Sequence, residues 1–242
     1  MWSKKDFKWL AKNYPAIKVK PGGVLEGTLV FRMLFRDGDR YVNPSSELLA
    51  ENKGTFIASS YQIRIEHKGK KEFHKTFEVG GKIQAVANTK GLSMIDLHTY
   101  PEDGALCLAS PMVTYPLVLS GLSLQQYLED FLIPYFFAQQ FFDKNGHWPW
   151  GDLSHGVSGH LEWLSRIDHP TVSDVHIALA HIHTLVKGEH FEELFSVRSR
   201  MHGLCACKSG KKFRYCHPDT KQAITEVRKM IYSRKIDLAD YN

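Results

Sequence analysis

Three stretches rich in β-forming residues follow one another in the first third of the chain, and they restrict the fold more than any other feature. Residues 24–35 form the first stretch, residues 61–66 alternate apolar and polar side chains as a half-buried strand does, and residues 73–79 form the third. Turn-forming sequences at residues 36–39 and 68–71 precede the second and third stretches. Consecutive strands on short connections usually pair as neighbours, so the sequence predicts an antiparallel β-meander.

Helical periodicity surrounds this strand region. Residues 2–13 place apolar side chains at helical spacing, and Ser123 with Gln126 matches a capping box at the start of a long aromatic helix. Pro134 is expected to kink or divide that helix. The other predicted helices span residues 160–167, 171–186, 191–201 and 219–234. No structure is predicted for residues 82–94 and 113–122. The pattern as a whole predicts an α+β fold, with helices flanking the meander and a helical C-terminal region.

Composition sets broad limits on the kind of protein. The chain has 242 residues, of which 43% are hydrophobic and 24% charged, as in globular domains. The net charge of +5 is mild, and we expect no nucleic-acid partner. There is no run of about 18 apolar residues, so no membrane span is expected. The first residues lack the apolar segment of a signal peptide, and we therefore expect a cytoplasmic protein.

Three of the four cysteines cluster near the C-terminus beside a histidine. Cys205, Cys207, Cys216 and His217 offer three sulfur ligands and one nitrogen ligand, a set that structural zinc binds in a closed tetrahedral site. A disulfide framework would require a different distribution of cysteines, and a reducing compartment agrees with this one. We therefore predict one structural Zn²⁺ ion held by these four residues.

The zinc cluster also carries a resemblance. Its spacing, C-x-C-x8-C-H with an internal S-G-K-K, resembles the SEC-C motif, a small zinc module found at the C-terminus of the SecA translocase and attached to many bacterial proteins. His217 stands where many members have a fourth cysteine, and both residues suit zinc. The resemblance implies an interaction element that covers, with the closing helix, residues 204–242.

The remaining cysteine lies in the stretch DLHTYPEDGALCL, residues 96–108. The Pro-Glu-Asp-Gly sequence predicts a turn just before Cys107, where a reactant can reach the thiol. A nucleophilic cysteine needs such access together with some thiolate character. His98, nine residues earlier, could orient the turn or donate a hydrogen bond. From residue type alone, the competing interpretation is a buried structural cysteine in the apolar sequence LCL.

The order of elements resembles the ubiquitin-conjugating E2 (UBC) fold: a helix, a meander, a histidine turn, a cysteine and then helices. E2 enzymes carry a His-Pro-Asn turn shortly before a cysteine in a G-x-[IL]-C-L context, which His98 and residues 104–108 match. The resemblance implies an E2-like domain at residues 1–165, with Cys107 as the thioester-forming nucleophile and a helical connector at residues 166–203.

One departure from the E2 pattern bears on chemistry. Thr99 and Tyr100 replace the proline and the asparagine, so the asparagine expected to support the oxyanion is absent. An oxyanion still needs preorganised donors, and backbone amides, Tyr100 or His98 are the candidates. Asp103 or Glu102 is a candidate to deprotonate an incoming amine.

The variant H-x-Y-P-x-D-G-x-L-C-L, followed by an aromatic helix and a W-P-W-G…S-H-G loop, resembles bacterial E2-like proteins of defence and conjugation operons, in particular the E2-only form of CBASS antiphage systems. The resemblance implies a thioester with the C-terminus of a cGAS/DncV-like nucleotidyltransferase, passed on to an amine. The sequence contains no recognisable adenylating domain, so a separate E1-like activator or an already activated donor is implied.

Two other functions stay open. A catalytically degenerate E2 fold would act as an adaptor through its SEC-C module, and the absent asparagine favours that interpretation. A Cys-His hydrolase would pair Cys107 with His155, although no hydrolase nucleophile motif is recognisable.

Overall fold

The computed structural model describes residues 2–69, 72–150, 156–186, 189–195, 212, 215 and 218–241. The chain divides into two compact units, residues 1–151 and residues 152–242. The first unit ends before the sequence-based boundary at residue 165, and the helix at residues 157–166 belongs to the second unit.

An antiparallel sheet forms the centre of the first unit. Its strands, among the described residues, are β1 (Ile17–Val19), β2 (Leu25–Arg36), β3 (Asp39–Val42), β4 (Thr55–Glu66) and β5 (Lys75–Glu78). They lie in the order β1-β2-β4-β5, and β3 pairs with β2. All neighbours are antiparallel. The predicted meander is confirmed, with β2, β4 and β5 on the three β-forming stretches.

The sheet buries one face, as period-two alternation requires. Leu29 and Ile63 are fully buried on the inner face, whereas Val30 and Gln62 are exposed on the outer face. The ring of Tyr61 on β4 stacks on Phe136 at 4.0 Å between ring centroids. The core of the first unit therefore lies between the sheet and the aromatic helix that carries Phe136.

Helices complete the first unit: α1 precedes the strands, α2 lies between β3 and β4, and the others follow β5. They are α1 (Lys4–Asn13), α2 (Ser46–Ala50), α3 (Lys82–Lys90), α4 (Pro111–Ser120), α5 (Leu124–Gln126) and α6 (Ile133–Asn145), with short 3-10 turns at Pro21–Gly23 and Ile95–Leu97. α3 and α4 occupy most of residues 82–94 and 113–122, for which no structure is predicted from the sequence. Left-handed glycines, Gly91 and Gly121, end these two helices.

The helix that begins after Ser123 confirms two predictions. The Ser123 hydroxyl accepts from the N–H of Gln126, and the Gln126 side chain accepts from the N–H of Ser123, which is the predicted capping box. A π-helical segment, Tyr127–Leu132, then separates α5 from α6. Pro134 lies in the first turn of α6, where it lacks an N–H to donate and its ring needs room in the preceding turn, so the wider segment accommodates it.

The described part of the second unit is helical. It contains α7 (Val157–Arg166), α8 (Val172–Val186), α9 (Glu189–Phe195), α10 (Pro218–Ser233) and a 3-10 turn at Leu238–Tyr241. Buried Glu162 on α7 accepts a hydrogen bond from the Thr220 hydroxyl on α10 at 2.6 Å. No helix in the described ranges is both long enough and apolar enough to cross a membrane.

Candidate functional site

Cys107 lies at the end of a narrow, hydrogen-bonded loop. The N–H of Cys107 donates to the carbonyl oxygen of His98 at 2.8 Å, and the N–H of Tyr100 donates to the carbonyl oxygen of Ala105 at 2.8 Å. Between these bonds, Thr99 and Leu106 form an antiparallel bridge. The loop thus brings the two catalytic candidates, His98 and Cys107, together through their backbones.

The turn between the two arms of this loop depends on a glycine. Gly104 has a φ of +76°, a conformation that costs other residues energy, and its N–H donates to the carbonyl oxygen of Tyr100 at 2.8 Å. The thiol that follows is half-buried, whereas Ala105 and Leu106 are buried. Cys107 is therefore partly accessible, and it is not the fully buried cysteine of the competing interpretation.

The side chain of Tyr100 lies near that of Cys107. Partial burial raises the pKa of the Tyr100 phenol, and the neighbouring Cys107 raises it further. The phenol therefore stays protonated at neutral pH and is a hydrogen-bond donor beside the thiol.

Two buried polar side chains on α6, Tyr135 and Gln139, support the loop, and we call them the α6 platform. The Tyr135 hydroxyl donates to the carbonyl oxygen of Leu97 at 2.9 Å, and Nε2 of Gln139 donates to the same oxygen at 2.8 Å. The Tyr135 hydroxyl also lies 3.4 Å from the carbonyl oxygen of His98. Burial raises the pKa of Tyr135, so its hydroxyl stays neutral. This platform fixes the backbone just before His98, whose φ of +54° is left-handed.

The imidazole of His98 packs against an aromatic pair. Its ring centroid lies 4.8 Å from that of Trp148, and Trp148 stacks on Phe142 at 4.5 Å. The left-handed backbone of His98 and this ring contact both fix the course of the chain at the start of the loop. The geometry therefore gives His98 a part in shaping the loop.

Strand β5 holds the other side of the loop. The N–H of Leu106 donates to the carbonyl oxygen of Thr76 at 2.8 Å, and the ammonium group of Lys75 forms an ion pair with the Asp103 carboxylate. Oδ1 of Asp103 also accepts from the N–H of Ala105 at 3.0 Å. The hydrogen bond from Lys75 lowers the pKa of Asp103. Asp103 is thus a weak proton acceptor, and the other base candidate, Glu102, is exposed.

The other predicted site residues lie outside the described residues. These are the zinc ligands Cys205, Cys207, Cys216 and His217, together with His155 of the hydrolase alternative. Within the described ranges, no group of three or more His, Cys, Asp or Glu side chains could hold a metal ion. The zinc site therefore stays a prediction from the sequence.

Several residues of the site were not found from the sequence. Lys75 lies within a predicted strand, and Tyr135 and Gln139 lie within the predicted aromatic helix, where nothing sets them apart from core residues. The four-residue spacing of Tyr135 and Gln139 on one helix face is the only sequence signal that they act together. Trp148 supports the site through its ring contacts with His98 and Phe142.

No family model matches the chain, and neither a curated protein nor a solved structure is significantly similar to it. The chemistry of the site therefore has to be argued from its own residues.

Proposed function

We propose that this protein is an E2-like conjugating enzyme that carries the C-terminus of a donor protein as a thioester on Cys107 and transfers it to an amine. The observation that carries the proposal is the hydrogen-bonded loop that holds a half-buried Cys107. This loop follows an antiparallel meander and precedes a run of helices, as in the order on which the E2 resemblance rests, although α3 is inserted between the meander and the loop.

The loop has the properties that an acyl carrier needs. The thiol is partly accessible, so a bulky donor can approach it. Backbone pairing on both sides of the turn, the Lys75–Asp103 ion pair and the α6 platform limit its motion. A fixed sulfur keeps an attached acyl group in a small range of positions, which lowers the entropic cost of the attack by an amine.

The exchange steps conserve atoms and charge. The Cys107 thiolate attacks the activated carbonyl of the donor, forms the C–S bond and expels the activating group. The acceptor amine then attacks the same carbonyl, the C–S bond breaks, and the sulfur leaves as a thiolate. The amine proton passes to solvent or to Glu102. No metal is required for either step, and the predicted Zn²⁺ would serve the SEC-C-like module as a structural ion.

The resemblance to E2-only CBASS proteins supports antiphage defence as the setting and a cGAS/DncV-like nucleotidyltransferase as the donor. The SEC-C-like module would recruit a partner. An E1-like activator, or a donor that arrives already activated, would supply the energy of the thioester.

The test is purification of the tagged protein from cells that express its neighbouring genes, followed by gel analysis without and with thiol. We expect a higher-mass species that thiol removes, and its mass identifies the donor. Cys107→Ala should abolish this species without unfolding the protein. If the wild-type protein forms no such species with the neighbouring proteins present, the conjugating function is wrong, and the adaptor function becomes the better explanation.

A further inference from the structure

We propose that one face of the first unit binds the surface of an anionic phospholipid bilayer. The contacts are a stripe of lysines on α1 and the exposed apolar side chains of α4 beside it. This surface is separate from the chemistry proposed at Cys107, and the proposal does not depend on that chemistry.

The positive charge of the chain is concentrated in α1 and in the strand that follows it. Residues 1–20 contain six lysines and one acidic residue, and their net charge of +5 equals that of the whole chain. The rest of the chain is therefore neutral overall. Such an asymmetry creates a local positive field that attracts an anionic partner, although the net charge of the chain is mild.

Helix geometry gathers four of these lysines on one side of α1. Lys4, Lys8 and Lys12 follow one another at intervals of four residues, and Lys5 lies beside them, so the four fall within an arc of about 100°. All four are exposed. Leu10 lies on the opposite side of the helix, where it is buried in the core. The core contact therefore turns the lysine stripe toward solvent.

A surface cavity of about 450 Å³ joins α1 to the end of α4. Lys5 and Trp9 line it from α1, and Val118 and Leu122 line it from α4 and the residues that follow. Lys5 belongs to the stripe, so the stripe and the end of α4 border the same opening. The two helices therefore contribute to one face of the first unit.

Two carboxylates also line this cavity, those of Asp6 and Glu72. The Asp6 carboxylate accepts hydrogen bonds from the N–H and hydroxyl of Ser3 and, at 3.1 Å, from the N–H of Leu124. Asp6 thus has a structural role at the start of α1 and α5. Four exposed lysines against two carboxylates leave the region positive.

α4 presents apolar side chains to solvent beside the same opening. Tyr115 is 45% exposed and Leu119 is 54% exposed. They are four residues apart on one side of the helix, and Tyr115 is three residues from Val118, which lines the cavity. The helix, PMVTYPLVLS, has no charged side chain. A surface helix in water usually carries charged or polar residues on its outer face, so α4 suits an interfacial environment.

The kind of cation favours a lipid surface over a protein or a nucleic acid. All the cations of residues 1–20 are lysines, and none is an arginine. Lysine is depleted in protein–protein interfaces, and arginine is the residue that pairs phosphates bidentately. The flexible lysine ammonium group needs no fixed partner and suits a fluid layer of anionic headgroups. Tyr115 and Leu119 would enter the boundary between headgroups and acyl chains.

The test measures flotation of the full chain with vesicles of two compositions. One is phosphatidylcholine alone, and the other is one part phosphatidylglycerol to two parts phosphatidylcholine. We expect the wild-type protein to bind the vesicles that contain phosphatidylglycerol and not those of phosphatidylcholine. Binding should weaken steeply in 1 M salt, which screens the attraction between lysines and headgroups.

A triple variant, Lys4→Gln with Lys8→Gln and Lys12→Gln, tests the stripe. Glutamine is about as good a helix former as lysine, so α1 stays folded. We expect binding to the phosphatidylglycerol vesicles to be about a hundredfold weaker, because each lysine near such a surface contributes about fivefold. The matched control removes the same charge from three exposed lysines outside α1, at Lys53, Lys144 and Lys221. It should bind far more tightly than the stripe variant.

A second pair of variants tests α4. Leu119→Gln removes an exposed apolar side chain without a change in charge, and we expect binding to be about fivefold weaker. Leu185→Gln, on α8 of the second unit, is the matched control because its leucine is exposed to nearly the same extent, 52%. This control should bind as the wild type does.

Four results would overturn the proposal. Equal binding to both kinds of vesicle, or to neither, would exclude an anionic lipid surface. An equal loss in the two lysine variants would show that binding follows net charge, so the stripe has no special role. Wild-type binding by Leu119→Gln would remove α4 from the surface. Retention on immobilised polyglutamate without binding to vesicles would identify an acidic protein as the partner.

Discussion

The carbonyl oxygen of His98 accepts a hydrogen bond at 2.8 Å from the N–H of Cys107, nine residues later in the chain. This single bond joins the two residues that the sequence marks as candidates for chemistry. It closes the loop that holds the thiol. The α6 platform donates hydrogen bonds to the start of that loop, and Lys75 on β5 forms an ion pair with Asp103 in its turn. The position of the thiol therefore depends on residues distant from it in sequence.

The platform beneath the loop predicts a coupled pair of substitutions. Tyr135→Phe and Gln139→Met should each reduce the free energy of unfolding by about 1 kcal/mol, because the remaining partner still pairs with the Leu97 carbonyl. The double variant leaves the Leu97 carbonyl without either side-chain donor. Its free energy of unfolding should therefore fall by about 1 kcal/mol more than the sum of the two single-variant decreases. Urea unfolding of the four proteins measures the coupling, and strictly additive losses would contradict the shared role.

The Lys75–Asp103 ion pair predicts a dependence on pH and salt. The pKa of Asp103 is lower in the folded than in the unfolded chain, so its contribution to stability is present above the ordinary pKa of a carboxyl group. The contribution is lost as the pH falls through the lowered value. Asp103→Asn should therefore lower the melting temperature at pH 7 and low salt, with a smaller difference in 1 M salt and a smaller one at about pH 2. A difference that is the same at both pH values would contradict this explanation.

His74 predicts a loss of stability under mildly acidic conditions. Burial, with a smaller contribution from neighbouring His67, lowers its pKa to about 4, whereas an unfolded histidine has its ordinary pKa of about 6.5. Between these two values the unfolded chain binds more protons, so stability falls as the pH is lowered from 6.5 to 4 and is unaffected above 6.5. The full effect amounts to about 3 kcal/mol.

The His74→Phe variant tests this prediction. The rings of Trp2 and His74 lie 4.2 Å apart, measured between their centroids. The phenylalanine keeps an aromatic ring in this contact and removes the titrating group. Urea unfolding at pH 7 and at pH 4.5 should show a smaller difference for this variant than for the wild type. His169→Gln, at a fully solvated surface position with 95% of the side chain exposed, is the control and should keep the wild-type difference. An unchanged pH dependence in His74→Phe would refute the assignment.

The C-terminal cluster predicts one bound zinc ion per chain. Cys205, Cys207, Cys216 and His217 supply the ligands, and Cys205→Ser should remove the metal because one of the three thiolates is lost. Elemental analysis of protein purified without chelators measures the ratio. If the purified wild-type protein contains no zinc, the prediction of a SEC-C-like zinc module is wrong, whereas the proposed role of Cys107 is not affected.

The strands and the loop that carries Cys107 could be predicted from local sequence. Alternation in residues 61–66 and the β-forming run at 24–35 identify β4 and β2, and the Pro-Glu-Asp-Gly sequence identifies the turn before Cys107. In each case the signal and the structure involve the same few residues. The capping box at Ser123 was predictable for the same reason.

Other features depend on contacts that local patterns do not encode. α4 could not be predicted because its own residues are apolar on nearly every face and Pro116 lies inside it, so the sequence shows no helical periodicity there. Tyr135 and Gln139 reach the loop from about forty positions later in the chain, and only the packing of α6 within the first unit brings them to Leu97.

The most direct test of the central claim replaces the sulfur of Cys107 with oxygen. The Cys107→Ser variant and the wild-type protein are expressed separately, each together with the neighbouring genes. The variant should accumulate the donor protein as an oxygen ester in place of the thioester. Intact mass should show that thiol removes the wild-type adduct, that only hydroxide removes the Cys107→Ser adduct, and that Cys107→Ala forms none. An adduct of the same mass on Cys107→Ala, or none on the wild type with the donor present, would show that Cys107 is not the acyl carrier.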